Sequence, residues 1–187
     1  MYKRQVASAT EVEGAASQIS DRDKFKSAVR ELRTGVGPRY QSLRQQLDHY
    51  PLAVYLDALV IEGNLHYGKP EDVKAFLQTA GRSPIAIRTL RSFVRHKIED
   101  RRWGDVVEVT EGLTLSTELT CHRAHALLMT RETADATPLL NRVWTVGKSQ
   151  IKACDPAFKT WYRNSGPSDD VVWTRALKAA DARNSIL

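Results

Sequence analysis

Gly147-Lys-Ser-Gln-Ile-Lys-Ala-Cys-Asp-Pro-Ala-Phe-Lys-Thr-Trp-Tyr-Arg-Asn-Ser-Gly166 is the stretch whose reading decides the fold. It puts Cys154, one of only two cysteines, in a turn between two apolar runs. Before the turn, Leu139, Leu140, Val143 and Trp144 recur at three- and four-residue steps; after it, Phe158 and Trp161 do the same. Such steps line one face of an amphipathic helix. Asp155-Pro156 predicts an N-cap followed by proline at the first helical position. Asn164 to Gly166 predicts a helix end, with Gly166 free to take the left-handed C-cap conformation.

Outward from this turn the same period continues. Leu43 and Leu47 share a face, as do Val73, Phe76, Leu77 and Ala80, and Ile87, Leu90, Val94 and Ile98. No run of period-two alternation appears, so the expected fold class is all-α. Turn signals at Gly35-Val-Gly-Pro38, Tyr50-Pro51, Gly68-Lys-Pro70, Gly81-Arg-Ser-Pro84, Gly112, Asp155-Pro156 and Gly166-Pro167 cut the chain into short helices. Ser83-Pro84, and Ser116 with Glu118 or Leu119, predict helix starts; Thr79 to Arg82 predicts an end at Gly81. Many helices of about 10 to 18 residues with short turns predict helix pairs stacked as a superhelical solenoid. Gly68 to Ala80 resembles one helix of a tetratricopeptide-like unit, but no clean 34-residue repeat is present. A compact bundle is the alternative. Trp103, Trp144, Trp161 and Trp173 are expected in the core of either.

The 187 residues are 42% hydrophobic and 27% charged, which suits one globular domain or one array of repeats. Leu52 to Ile61 is interrupted by Asp57, far short of the roughly 18 to 20 apolar residues of a membrane span, so no transmembrane segment is expected. Met1 to Gln5 precede a small and polar stretch, Val6 to Ser20, without the apolar core of a secretory signal. Taken literally this is a cytoplasmic start. Residues 1–5, however, read as the translation of a sequencing-library transposon end, a scar behind which a signal peptide would have been lost. Residues 6–20 are expected to be disordered or partly helical, and residues 21–187 to form the superhelical unit.

The net charge of +6 favours polyanions in general: nucleic acid, anionic lipid or cell-wall polymer. The basic residues are spread, with one local group at Arg88, Arg91, Arg95, Lys97, Arg101 and Arg102. No ribonucleoprotein-type aromatic motif or zinc-finger spacing accompanies them, so a solvated helix face is expected and nucleic acid is not an expected partner.

Cys121 and Cys154 lie one helical hairpin apart. A disulfide, two buried thiols, and a metal site of Cys121, His122, His125 and Cys154 are the competing readings. Cys121 and His125 share a helix face, but His122 points about 100° away and Cys154 brings no neighbouring ligand, so the disulfide is preferred and the others stay open. The Cys-x-x-Cys-His of a c-type haem site is absent. Adjacent acids at Glu71-Asp72, Glu99-Asp100 and Asp169-Asp170 face different directions and suit helix starts or solvent. Gly147-Lys-Ser149 ends like a P-loop, yet Arg142 stands where that motif needs glycine, and a helix C-cap with a polar turn is expected instead. His49, His66 and His96 have no acid or nucleophile at a telling spacing. The residues thus predict no catalytic, cofactor or metal-binding side chain.

Several blocks, in order, resemble the N-terminal helical region of the soluble lytic murein transglycosylases: His49-Tyr-Pro-Leu-Ala-Val-Tyr-Leu56; Arg88-Thr-Leu-Arg-Ser-Phe-Val94 with Arg101-Arg-Trp103; Cys121; and Gly147-Lys-Ser-Gln150, Ala153-Cys-Asp155, Phe158, Trp161 and Ser165-Gly166. The resemblance covers about residues 35 to 187. It implies a right-handed superhelix, the U-domain, which accompanies a lysozyme-like catalytic domain in the periplasm. The parent enzyme would cleave the β-1,4 bond between N-acetylmuramic acid and N-acetylglucosamine to give 1,6-anhydro products, one glutamate acting as acid and then base. Cys121 and Cys154 match the family's disulfide in position and spacing. The glutamate has no counterpart: the family's Glu-Ser and Gly-Leu-Met-Gln segments are absent, and no glutamate here precedes a serine. Ala176 to Leu187 reads as a helix that continues, so a piece lacking its catalytic domain is expected. The implied role is a non-catalytic scaffold, with peptidoglycan glycan strands and that catalytic domain as partners. The alternative is a free-standing helical-repeat adaptor for a protein or peptide.

Overall fold

The structure is a computed structural model that describes residues 9–182. Among these there are ten α-helices and no strand: α1 (Ala9–Glu31), α2 (Pro38–Gln45), α3 (Ala53–Gly63), α4 (Pro70–Ala80), α5 (Pro84–Glu99), α6 (Trp103–Val109), α7 (Thr117–Met129), α8 (Thr133–Trp144), α9 (Asp155–Asn164) and α10 (Asp169–Asp181), with a 3₁₀ turn at Lys152–Cys154 before α9. Residues 1–5 lie outside the described residues, and α1 begins within the segment 6–20. No described helix is long and apolar enough to cross a membrane.

Helix starts follow from the sequence locally. Proline opens α2, α4 and α5. The hydroxyls of Ser83 and Ser116 accept from the backbone N–H of Ala86 at 3.3 Å and of Leu119 at 3.4 Å, satisfying donors that a helix start leaves unpaired. Asp155 differs from expectation: it is already the first helical residue, because the 3₁₀ turn runs directly into α9 and puts Cys154 in the capping position.

Helix ends divide into two kinds. Gly81 (φ 59°) and Gly166 (φ 68°) close α4 and α9 as expected. α5 and α7 instead stop at arginines, Arg101 (φ 57°) and Arg131 (φ 68°). In α5 the N–H of Arg102 donates to Lys97 O (2.8 Å) and that of Arg101 to Ile98 O (3.0 Å); in α7 the N–H of Glu132 donates to Leu127 O (2.8 Å) and that of Arg131 to Leu128 O (3.3 Å). Both are Schellman closures in which the usual glycine is replaced. The two ends have the same hydrogen-bond pattern at equivalent places in successive hairpins. This is a repeat in structure that the residue types conceal.

From α3 to α8 each helix packs against its sequence neighbour, and several pack against the next but one: α1 on α3, α3 on α5, α4 on α6, α5 on α7, α7 on α9. That is the arrangement of a helical solenoid, not of a bundle about one centre. The core accordingly divides into successive clusters, from Tyr40, Leu47 and Leu56 near the N-terminal end, through Val73, Phe93, Val94 and Val106, to Leu127, Leu140, Trp144 and Trp161. On α5 the buried face is Ile85, Ala86, Leu90, Phe93 and Val94, so Ile87, expected in the core, is exposed instead. Trp161 is fully buried and Trp144 nearly so, Trp103 is half-buried, and Trp173 is 69% exposed on α10.

Two contacts between units were not expected from the sequence. Lys97 is fully buried, its ammonium donating to His66 O (3.1 Å), lying 3.6 Å from Asp105 and 5.0 Å from the Phe93 ring centroid. It ties α5 to the α3–α4 loop and to α6. Gly147 does not cap α8, which ends at Trp144; a Cβ there would sit 2.3 Å from Lys178 O. Its role is close approach to α10, where Arg175 Nη1 donates to Trp144 O (2.7 Å) and Lys178 Nζ to Thr145 O (2.9 Å).

Phe93→Ala should lower the unfolding free energy by about 3 to 5 kcal/mol, the range for emptying a buried aromatic site. Trp173→Ala should change it by less than about 0.5 kcal/mol, as exposed positions do. Urea denaturation of the two variants checks both.

Candidate functional site

The cysteine-bearing turn identified in the sequence is where α7, α8 and α9 meet. Cys121 lies in the second turn of α7 and Cys154 ends the 3₁₀ turn; they are joined in a disulfide with Cα atoms 4.9 Å apart across a sequence separation of 33. Both are fully buried with Val143, and Phe158 packs against them. Gln150 Nε2 donates to Val143 O (2.6 Å), fixing the loop that leads into the turn. Next to the bridge, Trp144 and Trp161 meet edge to face with centroids 6.2 Å apart, and Arg175 lies 4.5 Å from the Trp144 ring centroid. With both sulfurs in the bridge, neither is available to a metal.

The histidines of that reading are placed otherwise. His122 lies 3.9 Å from Glu118, and His125 packs on Trp103 with centroids 5.1 Å apart. Burial holds both imidazoles below their ordinary value of 6.5; the Glu118 carboxylate partly opposes this at His122.

Nearer the N-terminus, an open cavity of about 460 Å³ lies between α2, α3 and α4, lined by Tyr40, Arg44, Asp57, Val60, Asp72 and Phe76 among others. Arg44 grips Asp57 through two hydrogen bonds of 2.7 and 2.8 Å and reaches Asp48 at 2.7 Å. The Tyr40 hydroxyl, on a buried ring, has no hydrogen-bond partner, and burial with the nearby Asp57 carboxylate pushes its pKa up. The cavity therefore presents the Arg44–Asp57 pair, the Asp72 carboxyl and one phenol, a polar surface that can bind.

Glu62 and Glu118 follow the same pattern. Glu62 is held by Arg88 at 3.1 Å and by Thr89 at 3.2 Å, and Glu118 by Arg91 and Arg95. A glycosidic general acid needs a protonated carboxyl in an apolar pocket, and a carboxylate facing guanidinium groups is the reverse.

Two histidines expected to be isolated are not. His96 of α5 and Asp100, the C-cap of that helix, stand one turn apart, and His66 reaches across from the α3–α4 loop: His66 Nδ1 is 3.1 Å and His96 Nε2 3.5 Å from Asp100 Oδ2. His49 likewise meets Asp21 at 2.7 Å and, by hydrogen bonding, holds that carboxyl below its ordinary value. The i, i+4 relation of His96 to Asp100 was visible in the sequence. The approach of His66 was not, since it depends on loop placement.

No protein-family model matches the chain. The soluble lytic murein transglycosylase of Escherichia coli K12 is 30% identical over 135 residues, which is 72% of this chain and 21% of that protein. The chain thus spans about a fifth of the length of the curated relatives it matches. Among solved structures, the 70-kDa soluble lytic transglycosylase of E. coli superposes with a TM-score of 0.68 at 23% identity, over 90% of this chain and 27% of that one. An inactive variant of the lytic transglycosylase Slt from Pseudomonas aeruginosa superposes with a TM-score of 0.59 at 28% identity, over 86% and 26%. The all-helical superhelical fold is shared with these structures.

Replacing Cys121 and Cys154 together by serine should cost about 3 to 4 kcal/mol, the chain-entropy value for a loop of this length. Denaturation curves measure it, and alkylation with and without reductant should differ by two thiols. For His122 and His125, folded pKa values below the unfolded one mean that the unfolded chain binds more protons at mildly acid pH. Stability is then complete above 6.5 and declines as pH falls below it. Titration of the imidazole resonances should give midpoints below 6.5 for both, alongside that decline.

Proposed function

Because the chain is homologous to the soluble lytic murein transglycosylases, we propose that it is a non-catalytic superhelical scaffold of such an enzyme. The enzyme cleaves the β-1,4 bond between N-acetylmuramic acid and N-acetylglucosamine to give 1,6-anhydro products, and the catalytic glutamate lies outside this chain. The scaffold shapes the opening through which glycan strands reach the catalytic domain, its partner within the whole protein.

The observation that carries this is the joint match in sequence and fold: 30% identity over 135 residues with one relative, and a TM-score of 0.68 over 90% of the chain with a solved structure. The Cys121–Cys154 bridge supports a periplasmic location, because structural disulfides persist in oxidising compartments. The pairing of Glu62 and Glu118 with arginines supports the absence of glycosidic chemistry. A net charge of +6 supports attraction to the carboxylates of peptidoglycan stems. Nothing in the geometry favours the free-standing adaptor.

Purified chain incubated with murein sacculi should release no 1,6-anhydro-muropeptides above the buffer control, as read by mass spectrometry. It should co-sediment with the sacculi and be displaced as salt screens the attraction. Clear anhydro-product release would overturn the non-catalytic assignment.

A further inference from the structure

We propose that His66, His96 and Asp100 form a binding site for one zinc-class divalent ion that straps the α3–α4 loop to the C-terminal end of α5. Nδ1 or Nε2 of each histidine and one Asp100 oxygen all lie within 4.8 Å of one another. Two imidazole nitrogens and a carboxylate are the donor set borderline divalent ions prefer, and a fourth position is left for water.

The distances suit an ion as well as the His66–Asp100 hydrogen bond now present. Tetrahedral zinc, with bonds near 2.0 to 2.2 Å, holds its ligand atoms about 3.3 Å apart. His66 Nδ1 to Asp100 Oδ2 is 3.1 Å and His96 Nε2 to Asp100 Oδ2 is 3.5 Å, so two of the three separations are already met. The third needs movement of His66 alone, whose side chain is 63% exposed on its loop. His96 Nε2 is the second, independent sign. It is shielded from solvent and has no hydrogen-bond partner, although its carboxylate neighbour is near. A buried polar atom left in that state is costly, and coordination would satisfy it.

The surroundings pre-position the ligands. Lys97 Nζ and Arg102 Nη1 both donate to His66 O, at 3.1 and 3.4 Å, fixing the loop backbone. Tyr67 stands edge-on to the His66 ring with centroids 4.7 Å apart. The two cations would repel a metal ion if unopposed. Asp105 lies 3.6 Å from Lys97 and 2.9 Å from Arg102, which leaves Asp100 as the charge facing the ion.

Isothermal titration of tag-free chain with Zn²⁺ should show one saturable equivalent, and Zn²⁺ should raise the unfolding temperature, as any ligand of the native state does. His66→Gln, His96→Gln and Asp100→Asn should each weaken binding at least about tenfold, the scale on which metal sites respond to lost partners. His66→Gln is on an exposed loop and should leave the fold intact by circular dichroism. A double His122→Gln, His125→Gln variant should bind as the parent does. Absence of saturable binding, binding unchanged in the His66 variant, or binding lost in the His122/His125 variant would each overturn the assignment.

Discussion

The bridge between Cys121 and Cys154 is the constraint on which the C-terminal half depends. A solenoid has no common centre, so each unit is held only by its neighbours. Between α7 and α9 the connection runs through α8, an irregular loop and a 3₁₀ turn. At that junction Val143 and the two cysteines are buried together, and Phe158 joins them to the larger cluster of Leu127, Leu140, Trp144 and Trp161. A covalent link there removes the freedom of the long excursion in the unfolded chain, and it adds to the packing of α7 against α8 and α9. It also fixes the start of α9, since Cys154 is the residue from which that helix begins. Trp161 is thereby delivered to its buried place against Trp144, and Trp144 in turn offers its carbonyl and ring to Arg175 of α10.

Further towards the N-terminus, charge takes over the role that sulfur plays here. Lys97 joins α5, α6 and the α3–α4 loop by placing a buried ammonium against a carbonyl, a carboxylate and an aromatic ring. Buried charges hold position at a cost in desolvation, so such a contact specifies geometry more than it adds stability. Arg44 does similar work between α2 and α3 through Asp57. These polar ties keep acids occupied. Glu62 and Glu118 face arginines, an environment that keeps a carboxyl ionised, the reverse of what a glycosidic general acid needs.

The fold class was legible because helical period and turn chemistry agree along nearly the whole chain. Ser83, Ser116, Gly81 and Gly166 sit where their chemistry predicts. Arg101 and Arg131 carry no sequence signal for their helix ends, because a Schellman closure is a backbone arrangement that arginine can adopt at some cost. Ile87 was misplaced by the phase of the apolar stripe on α5: a shift to Ile85 and Ala86 rotates the buried face and brings in Phe93. Trp173 shows the limit of treating size as burial. At Gly147 the sequence predicts a cap, because close approach to α10 depends on tertiary packing that no local pattern displays. The same cause hid His66 from Asp100, which are 34 residues apart in sequence.

The reading frame downstream of Leu187 tests the scaffold assignment most directly. Sequencing the native gene through that point should reveal a lysozyme-like domain carrying a Glu-Ser pair followed by a Gly-Leu-Met-Gln segment. A stop codon immediately after Leu187 in the native gene, with no such domain in the protein, would contradict the account.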